Sequence, residues 1–504
     1  MKKFDKKLVN NAIFLFLDWL FVTLLNFVFW SVASKTLVKE QYGIISTSIN
    51  LATLLSGIGL LGFNTTISKL LPEYLEKRQE NKAKKIVSFS LESVLLSNIA
   101  LMAAMLLASS TIASILKIPN SVVFITVINT FLVSLWMFFA AILSGIQNMK
   151  KITVTNLIGH IVKICVSIAL IFLGFSYFGP LLGFMVGILV IVLLRIPFKF
   201  LTNVKKEVLD KKQIFFGFAL PAFVSSLAWL VFTNGQHVLL TAIKNPSVTG
   251  VFTVAFLLTN PIVSIPNILA MSLFPIISQL STNHNSKNSQ KHLLNMVLRY
   301  ALLFSVPAAL FLILFSQHVI LLFANPEYLS ATSLFPLLAV SSIIYGIGVI
   351  FNQTVYSLGK PKVQRNIVLE TVLVFFILAV PLTVFFSALG MCVAYLLSVS
   401  FLNFLSYKHI KKTLNTQLPW GSIKVILASG LLSFLFLYVF FHTAPNVIFA
   451  IISCILAGLV YFELLFLFKF FTKDDVLVLK LIIEKFPVFR EQLMKLVNFL
   501  FATI

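Results

Sequence analysis

Residues 121–174 read SVVFITVINTFLVSLWMFFAAILSGIQNMKKITVTNLIGHIVKICVSIALIFLG. Two apolar windows, 121–146 and 152–174, are joined by a short polar turn that carries Lys150 and Lys151. At about 1.5 Å of rise per residue, each window is long enough to cross roughly 30 Å of hydrocarbon as a helix. The same unit recurs throughout the chain. Further helices are predicted at 12–34, 42–66, 86–108, 178–199, 213–236, 247–271, 293–315, 332–353, 364–386, 388–407, 422–443 and 446–469. Composition agrees, with 59% hydrophobic and 11% charged residues and a mean hydropathy of +1.00. Soluble domains carry about 45–50% and about 25%. The sequence predicts an all-α polytopic membrane protein of about fourteen transmembrane helices, with membrane lipids as its solvent.

A formal charge of +23 would suggest nucleic acid in a soluble protein. Here the basic residues lie in every second loop, where they set orientation, and no nucleic-acid partner is expected. With the N-terminus inside, 34 of the 39 Lys and Arg residues fall on the cytoplasmic side, among them Arg195. Lys35, Lys39, Lys117 and Lys244 fall outside, and Lys163 is buried. A multi-pass protein of the cell (plasma) membrane with both termini cytoplasmic is expected. Lys2, Lys3, Lys6 and Lys7 precede an apolar run too long for a signal peptide, so it reads as a retained first helix. Cys165, Cys392 and Cys454 lie in apolar windows without metal or redox spacing and read as packing residues. Ser281 to Lys291 reads as a polar tether, and Asp474 to Ile504 as an amphipathic helix on the cytoplasmic leaflet, interrupted at Pro487.

An internal repeat is visible. Gln41-Tyr42-Gly43-Ile44-Ile45 is echoed by Val248-Thr249-Gly250-Val251-Phe252, Leu71-Pro72 by Phe274-Pro275, and Ser144 to Lys150 by Tyr356 to Lys360. The offsets between Gly43 and Gly250, Pro72 and Pro275, and Lys150 and Lys360 are 207, 203 and 210. Six helices per copy makes the repeat parallel, an arrangement in which transporters place their site between two lobes. The expected division is 1–205 and 206–415 for two six-helix lobes, 416–471 for two additional helices and 472–504 for a cytoplasmic tail.

Ionisable groups within a bilayer cost at least about 2.5–3.5 kcal/mol each on insertion scales and need a reason. Lys163 is the clearest, on a helix face shared with Asn156, His160 and Ser167. That stripe lines a wet cavity, where Lys163 could hold a phosphate or acidic sugar, or it pairs with Asp18 or Glu370. Glu92 and Glu463 read as helix-end charges. The 213–236 window carries Asn234, Gln236 and, just beyond it, His237 as a polar outer end. No Walker loop, HExxH or Cys/His cluster is present, so no enzyme, cofactor or metal is expected. The sequons at Asn64 and Asn352 fall inside predicted helices.

The chain resembles the polysaccharide-export flippases of the multidrug/oligosaccharidyl-lipid/polysaccharide (MOP) exporter superfamily. The residues that carry the resemblance are Lys39-Glu40-Gln41-Tyr42-Gly43, Gly57 to Pro72 (GIGLLGFNTTISKLLP), Phe218-Ala219-Leu220-Pro221, Val248 to Ala255 (VTGVFTVA), Leu273-Phe274-Pro275 and Thr472 to Leu477. The resemblance implies two six-helix lobes around a central cavity, two added helices, and passage of a lipid-linked oligosaccharide from the cytoplasmic to the outer leaflet. Relatives often carry an acidic residue where Gln236 stands and a basic one near Lys69. Lys69 fits that pattern and Gln236 departs from it.

The expected function is therefore a flippase for a polyprenyl-linked glycan, working by alternating access, with Lys163, Lys69 and Lys35 as candidate cations for an anionic head. The wider candidate set adds His160, Asn156, Asp18, Glu370, Asn234, Gln236 and His237. A cation-coupled multidrug antiporter, which would need acidic cavity residues such as Asp18 and Glu370, is the alternative. A third reading is a non-transporting scaffold for glycan-assembly enzymes, which are possible partners in any case.

Overall fold

In hydrocarbon no water is available to hydrogen-bond the backbone, so apolar windows of this length must close their amide bonds internally, as helices. The computed structural model describes residues 2–202, 207–281, 287–441, 447–472, 475, 476 and 480. It is helical over most of each predicted window. Its elements are α1 (Lys2–Thr36), α2 (Lys39–Leu60), α3 (Phe63–Glu76), α4 (Glu80–Leu107), α5 (Ser109–Leu116), α6 (Asn120–Gly145), α7 (Met149–Phe172), α8 (Phe178–Arg195) and α9 (Phe198–Leu201). A π-helical turn (Gln213–Ala219) then leads into α10 (Leu220–Ile243), α11 (Pro246–Thr259), α12 (Pro261–Ser281), α13 (Lys287–Leu314) and α14 (Ser316–Phe323). A 3-10 segment (Pro326–Leu334) precedes α15 (Phe335–Ser357), α16 (Pro361–Leu414), α17 (Trp420–Phe441) and α18 (Val447–Leu467). Among the described residues ten helices are long and apolar enough to cross a bilayer, or eleven if α11 and α12, bent by 50°, form one span. The 54-residue α16 is two helices broken at Ser387, whose φ of 56° is left-handed, at the boundary expected between 386 and 388.

Three sequence expectations need correction. The 42–66 window is not one helix: Leu61 and Gly62 are both left-handed (φ 47° and 76°), and α3 starts afresh at Phe63. Hydropathy stays high across this break, so the window could not reveal it. A side chain at Gly62 would overlap the Ala219 carbonyl, so the glycine supplies both the turn and the close approach. The tether is shorter than expected, because α13 already begins at Lys287, while 282–286 lie outside the described residues. Arg195, assigned to a cytoplasmic loop, is the last residue of α8 and is 1% exposed. Most of the expected amphipathic tail lies outside the described residues.

Packing gathers the helices around several apolar cores. One, with Phe63, Ile67, Val87, Val133 and Phe138, lies among α2, α3, α4 and α6. Another, with Leu273, Leu298, Ile350 and Ile410, lies among α12, α13, α15 and α16. The largest joins α1 and α2 to α10, α11, α15 and α16 through Tyr42, Ile45, Phe232, Phe252 and Phe335. Leu302, Val306, Ile426, Tyr461 and Leu465 tie α17 and α18 to α13.

At the end of the bundle that holds Lys39 and Pro246, α2 and α11 meet backbone to backbone. A methyl group on Gly43 would overlap the Pro246 carbonyl, and one on Gly250 would overlap the Lys39 carbonyl. Both pairs, Gly43 with Gly250 and Lys39 with Pro246, are separated by 207 residues, the offset of the expected repeat. The next turn repeats the relation, since Ser46 and Thr253 share a hydrogen bond of 2.8 Å across a separation of 207 residues. Thr47 and Thr241 add another at 2.6 Å, and Thr241 continues to Thr249 at 2.7 Å. Neighbouring contacts seal the same end. Ser34 Oγ donates to the Phe323 carbonyl (2.9 Å), the Asn325 amide to the Ser34 carbonyl (3.1 Å), and Tyr328 Oη to the Leu37 carbonyl (2.9 Å).

After α18 the chain is pinned to α13. Asp475, 2% exposed, accepts from Arg299 (2.9 Å), Tyr300 Oη (2.6 Å), and the Thr472 amide and hydroxyl (2.7 and 2.8 Å). Burial works against the charged carboxylate, but the hydrogen bonds from Tyr300 and Thr472 and the Arg299 charge hold its carboxyl below the usual range.

Two outcomes follow from these contacts. Gly43→Ala should force the α2–α11 contact apart at a cost of about 1–3 kcal/mol. A cysteine at Thr253, in a background without the native cysteines, should then react with a thiol reagent on the order of ten times faster; an unchanged rate would contradict the close approach. The Asp475 clamp has a depressed folded-state pKa, so its stabilisation is complete above the unfolded value of about 3.9 and is lost as pH falls through the lower folded value. Thermal unfolding in detergent should therefore show a smaller acid-induced drop below pH 4 for Asp475→Asn than for the parent, together with a lower melting point at pH 7.

Candidate functional site

Below the α2–α11 contact, α1, α2, α10, α11 and the start of α12 enclose a chamber of about 350 Å³. Its wall is polar without being charged. Thr23 and Asn26 come from α1, Asn50 and Thr53 from α2, Asn234 and His237 from α10, and Thr253, Asn260 and Ser264 from the bent α11–α12 pair, with Phe27, Trp30 and Phe256 between them. Asparagine and threonine can sit in these helices because each can bond back to its own helix. Asn50 Nδ2 donates to the Ser46 carbonyl at 2.8 Å, Asn234 Nδ2 to Thr233 Oγ1 at 2.9 Å, and Thr253 Oγ1 to the Thr249 carbonyl at 2.7 Å. His237 Nδ1 lies 3.0 Å from Thr253 Oγ1, and its ring meets the Phe252 and Phe256 rings edge to face. Among the described residues no carboxylate and no Lys or Arg lines this chamber.

The cations stand one layer behind, where α1 lies along α7. The face of α7 with Thr153, Asn156, His160, Lys163 and Ser167 is buried, while Val154, Ile158, Ile161 and Cys165 are exposed on the other side. The two helices run in register. Thr153 Oγ1 donates to the Phe14 carbonyl (2.9 Å), Asn156 Nδ2 to Asp18 Oδ1 (2.9 Å), and Lys163 Nζ to Asn26 Oδ1 (2.6 Å). Lys163, 3% exposed, also lies 4.3 Å over the Phe29 ring and pairs with neither Asp18 nor Glu370. It reaches the chamber only through Asn26. Arg195 crosses from α8, donating from Nε to Thr155 Oγ1 (2.7 Å) and from Nη2 to Asn156 Oδ1 (2.7 Å) and the Ile152 carbonyl (2.9 Å). Asn156 Oδ1 also accepts from Trp136 Nε1 at 3.2 Å. Gly159 and Gly187 allow α7 and α8 to approach closely enough for this, since a methyl group on Gly187 would lie 2.7 Å from Lys163 Cβ.

The remaining candidates are dispersed. Gln236 is buried, with Nε2 turned to the Thr233 carbonyl at 3.3 Å, and does not line the chamber. Glu370 is exposed on α16, and Lys69 lies 4.4 Å over the Phe218 ring on the flank of α3. Lys35 donates to the Leu321 carbonyl at 2.5 Å beside the sealed end. Asn26, Asn50, Asn260 and Arg195 escaped the sequence reading. The three amides were detectable as polar residues within apolar windows, whereas Arg195, near the end of the 178–199 window, was counted with the cytoplasmic basic residues.

An apolar pocket of about 410 Å³ adjoins the chamber and shares Phe27 and Pro261 with it; its other walls include Ile262, Phe311, Leu312, Phe315 and Phe323. A third, of about 290 Å³, shares Ala308 and Phe311 with the second and continues to Ser433, Ala457 and Tyr461 on α17 and α18. The amide- and hydroxyl-bearing chamber, which also has Phe27, Trp30 and Phe256 in its wall, thus lies next to a row of apolar pockets between helices. Among the described residues no three His, Cys, Asp or Glu side chains come together as a metal site would require.

Comparison with known proteins gives the same architecture. In solved structures, the lipid II flippase MurJ in an inward closed conformation superposes with a TM-score of 0.71 at 16% identity, covering 91% of this chain and 98% of that one. A multidrug resistance MATE family transporter of the MOP superfamily in an inward-facing conformation gives 0.65 at 14% identity, covering 78% and 94%. At these identities the likeness is one of fold, that of an all-α polytopic membrane protein. In sequence, the probable low-salt glycan biosynthesis flippase Agl15 of Haloferax volcanii is 22% identical over 242 residues, 46% of this chain. The match spans about half the length of that curated relative. The family model described as polysaccharide biosynthesis protein matches residues 8–281, more than half of the sequence, and the chain belongs to that family.

Proposed function

We propose that the chain is a flippase that carries a lipid-linked oligosaccharide, with a polyprenyl-type lipid, from the cytoplasmic to the outer leaflet by alternating access. The observation that carries this reading is the junction at Phe27 and Pro261, where a chamber of amides and hydroxyls meets an apolar pocket. An amphiphile with a hydroxyl-rich head and a long apolar chain matches both compartments at once, and burying that chain supplies roughly 25 cal/mol per Å² of apolar surface. Asn50, Asn234, His237 and Asn260 offer donors and acceptors to sugar hydroxyls. Lys163, acting through Asn26, biases the α1 wall toward a phosphate, and Asn156 and His160 support it from behind. The named relatives that are flippases for glycan biosynthesis and for lipid II agree with this substrate class. An antiporter for cationic compounds would gain from carboxylates in the chamber, and neither Asp18 nor Glu370 lines it.

In this reading residues 1–205 and 206–415 are two six-helix lobes that rock about the chamber, 416–471 add two helices that extend the row of apolar pockets, and 472–504 form a cytoplasmic tail. That makes fourteen crossings in the cell membrane with both termini inside. The Gly43–Gly250 contact then closes the outer end, and export requires it to part. Enzymes that assemble the glycan would be its neighbours, and the protein itself performs no covalent chemistry.

Asn50→Leu combined with Asn234→Leu should lower the movement of a lipid-linked oligosaccharide across reconstituted vesicles by about tenfold or more, equivalent to losing one to two hydrogen bonds. Protein yield and melting point should change little. Unchanged glycan movement with impaired export of a cationic dye would sink the flippase reading and favour the antiporter.

A further inference from the structure

The buried stretch between α1, α7 and α8 carries more positive than negative charge. Within 13–36, 120–145, 149–172 and 178–195, the segments that meet there, Asp18 is the one carboxylate. Against it stand Arg195 and Lys163, 1% and 3% exposed. Asp18 and Arg195 face one another across the Asn156 amide and offset each other in part, which leaves Lys163, two turns further along α7, without a carboxylate. An isolated buried charge costs several kcal/mol after relaxation, so an excess of this kind calls for a counter-charge.

Unused donors mark where the counter-charge would sit. Arg195 spends Nε and Nη2 on Thr155, Ile152 and Asn156, and its Nη1 has no hydrogen-bond partner. Both ring nitrogens of His160 are likewise buried without a partner. His160 is four residues beyond Asn156, where the guanidinium binds, and three before Lys163, so its ring occupies the turn between the two cations on one helix face. Few native proteins leave three buried polar nitrogens unsatisfied within two helical turns, and such groups ask for a specific explanation.

We propose that α1, α7 and α8 hold a small monovalent inorganic anion of the halide class between Arg195 Nη1 and the His160 ring, with Lys163 supplying the second positive charge. The site lies behind the chamber wall, since none of these three residues lines the chamber. The anion accepts from Arg195 Nη1 and from the single N–H of a neutral His160 ring, brings the enclosed charge to neutrality and holds α1 to α7 through the Asp18–Asn156 and Asn26–Lys163 bonds on either side of it.

The test uses the full chain purified in detergent, in sodium chloride or sodium gluconate at equal ionic strength and pH, with no lipid-linked substrate present. Chloride should raise the melting point saturably by at least about 2 °C, and bromide should reproduce the effect. Arg195→Gln and His160→Leu should each flatten the response. The His160→Leu protein should still fold, since an apolar side chain replaces two unsatisfied nitrogens. Asn234→Leu, in the chamber, should keep the full response. A wild-type protein indifferent to chloride would overturn the proposal, as would a response that survives His160→Leu or is abolished by Asn234→Leu. The readout is halide-dependent melting in the absence of substrate, so a flat response overturns the anion site without deciding the glycan reading, in which Lys163, Asn156 and His160 also stand behind the α1 wall.

Discussion

Hydrocarbon offers no hydrogen-bond partner and no screening, and every distinctive feature of this protein answers that constraint. Backbone amides are satisfied within helices, and side-chain amides and hydroxyls bond first to their own helix, as Asn50 does to Ser46 and Thr253 to Thr249. What these groups have left over faces the chamber. A wall built this way is polar yet inexpensive to bury, because each group arrives partly satisfied. Full charges are kept off that wall and placed one layer back, where Asn156 can serve Asp18, Arg195 and Trp136 together. A buried amide with both ends occupied costs far less than the bare ions it separates.

The same constraint shapes the closed end. Two membrane helices gain little from pressing apolar side chains together, since lipid is as apolar as leucine, so close backbone approach and shared hydrogen bonds must supply the attraction. Gly43 and Gly250 allow the approach, and Ser46, Thr253, Thr47, Thr241 and Thr249 supply the bonds. Each of these bonds is worth about 0.6 kcal/mol in a membrane setting. Beside these bonds lies the apolar core that includes Tyr42, Ile45 and Phe252, so the gate proposed above would have to part both. Small residues on both α2 and α11 contribute the same kind of surface to the contact.

Much of this was legible in the sequence, and the reasons differ by feature. Helix positions follow from apolar length alone, and the boundary at Ser387 could be read because the 364–386 and 388–407 windows are each long enough to span. The break at Leu61–Gly62 was hidden because both sides of it are apolar. The Lys163 stripe was visible as a spacing, and α7 does bury that face. Its partner was not, because the residue that meets Lys163 is fixed by the register of α1 against α7, a tertiary fact, and it proved to be Asn26 in place of a carboxylate. Lys35 illustrates the same limit: its acceptor is the Leu321 carbonyl, and backbone acceptors leave no mark in a sequence. Arg195 was counted with the cytoplasmic basic residues because its acceptor, Thr155 on the preceding helix, is fixed by how α7 packs on α8.

The position of α1 links these observations. One side is bonded to α7 at Phe14, Asp18 and Asn26, and the other lines the chamber with Thr23, Asn26, Phe27 and Trp30. Its last turn is held instead by the far half of the chain, through Ser34 and Lys35 to the Phe323 and Leu321 carbonyls of α14. If the closed end parts, the contacts at Ser34 and Lys35 must break while the α7 register can persist, because the two sets attach to different bodies of helices. Asn26 lies at the changeover, touching Lys163 behind and the chamber in front. A phosphate on Asn26 would accept from Nδ2 while Lys163 keeps Oδ1, whereas a sugar hydroxyl donating to Oδ1 would share that oxygen with Lys163, so occupancy of the chamber and the hold of α7 on α1 would be coupled through one side chain. Phe27, next to Asn26, is shared by the chamber and the apolar pocket. In the proposed function the same turn of α1 would therefore meet both ends of an amphiphile, a physical route by which a lipid-linked head group would loosen one half of the helix while the other half stays fixed.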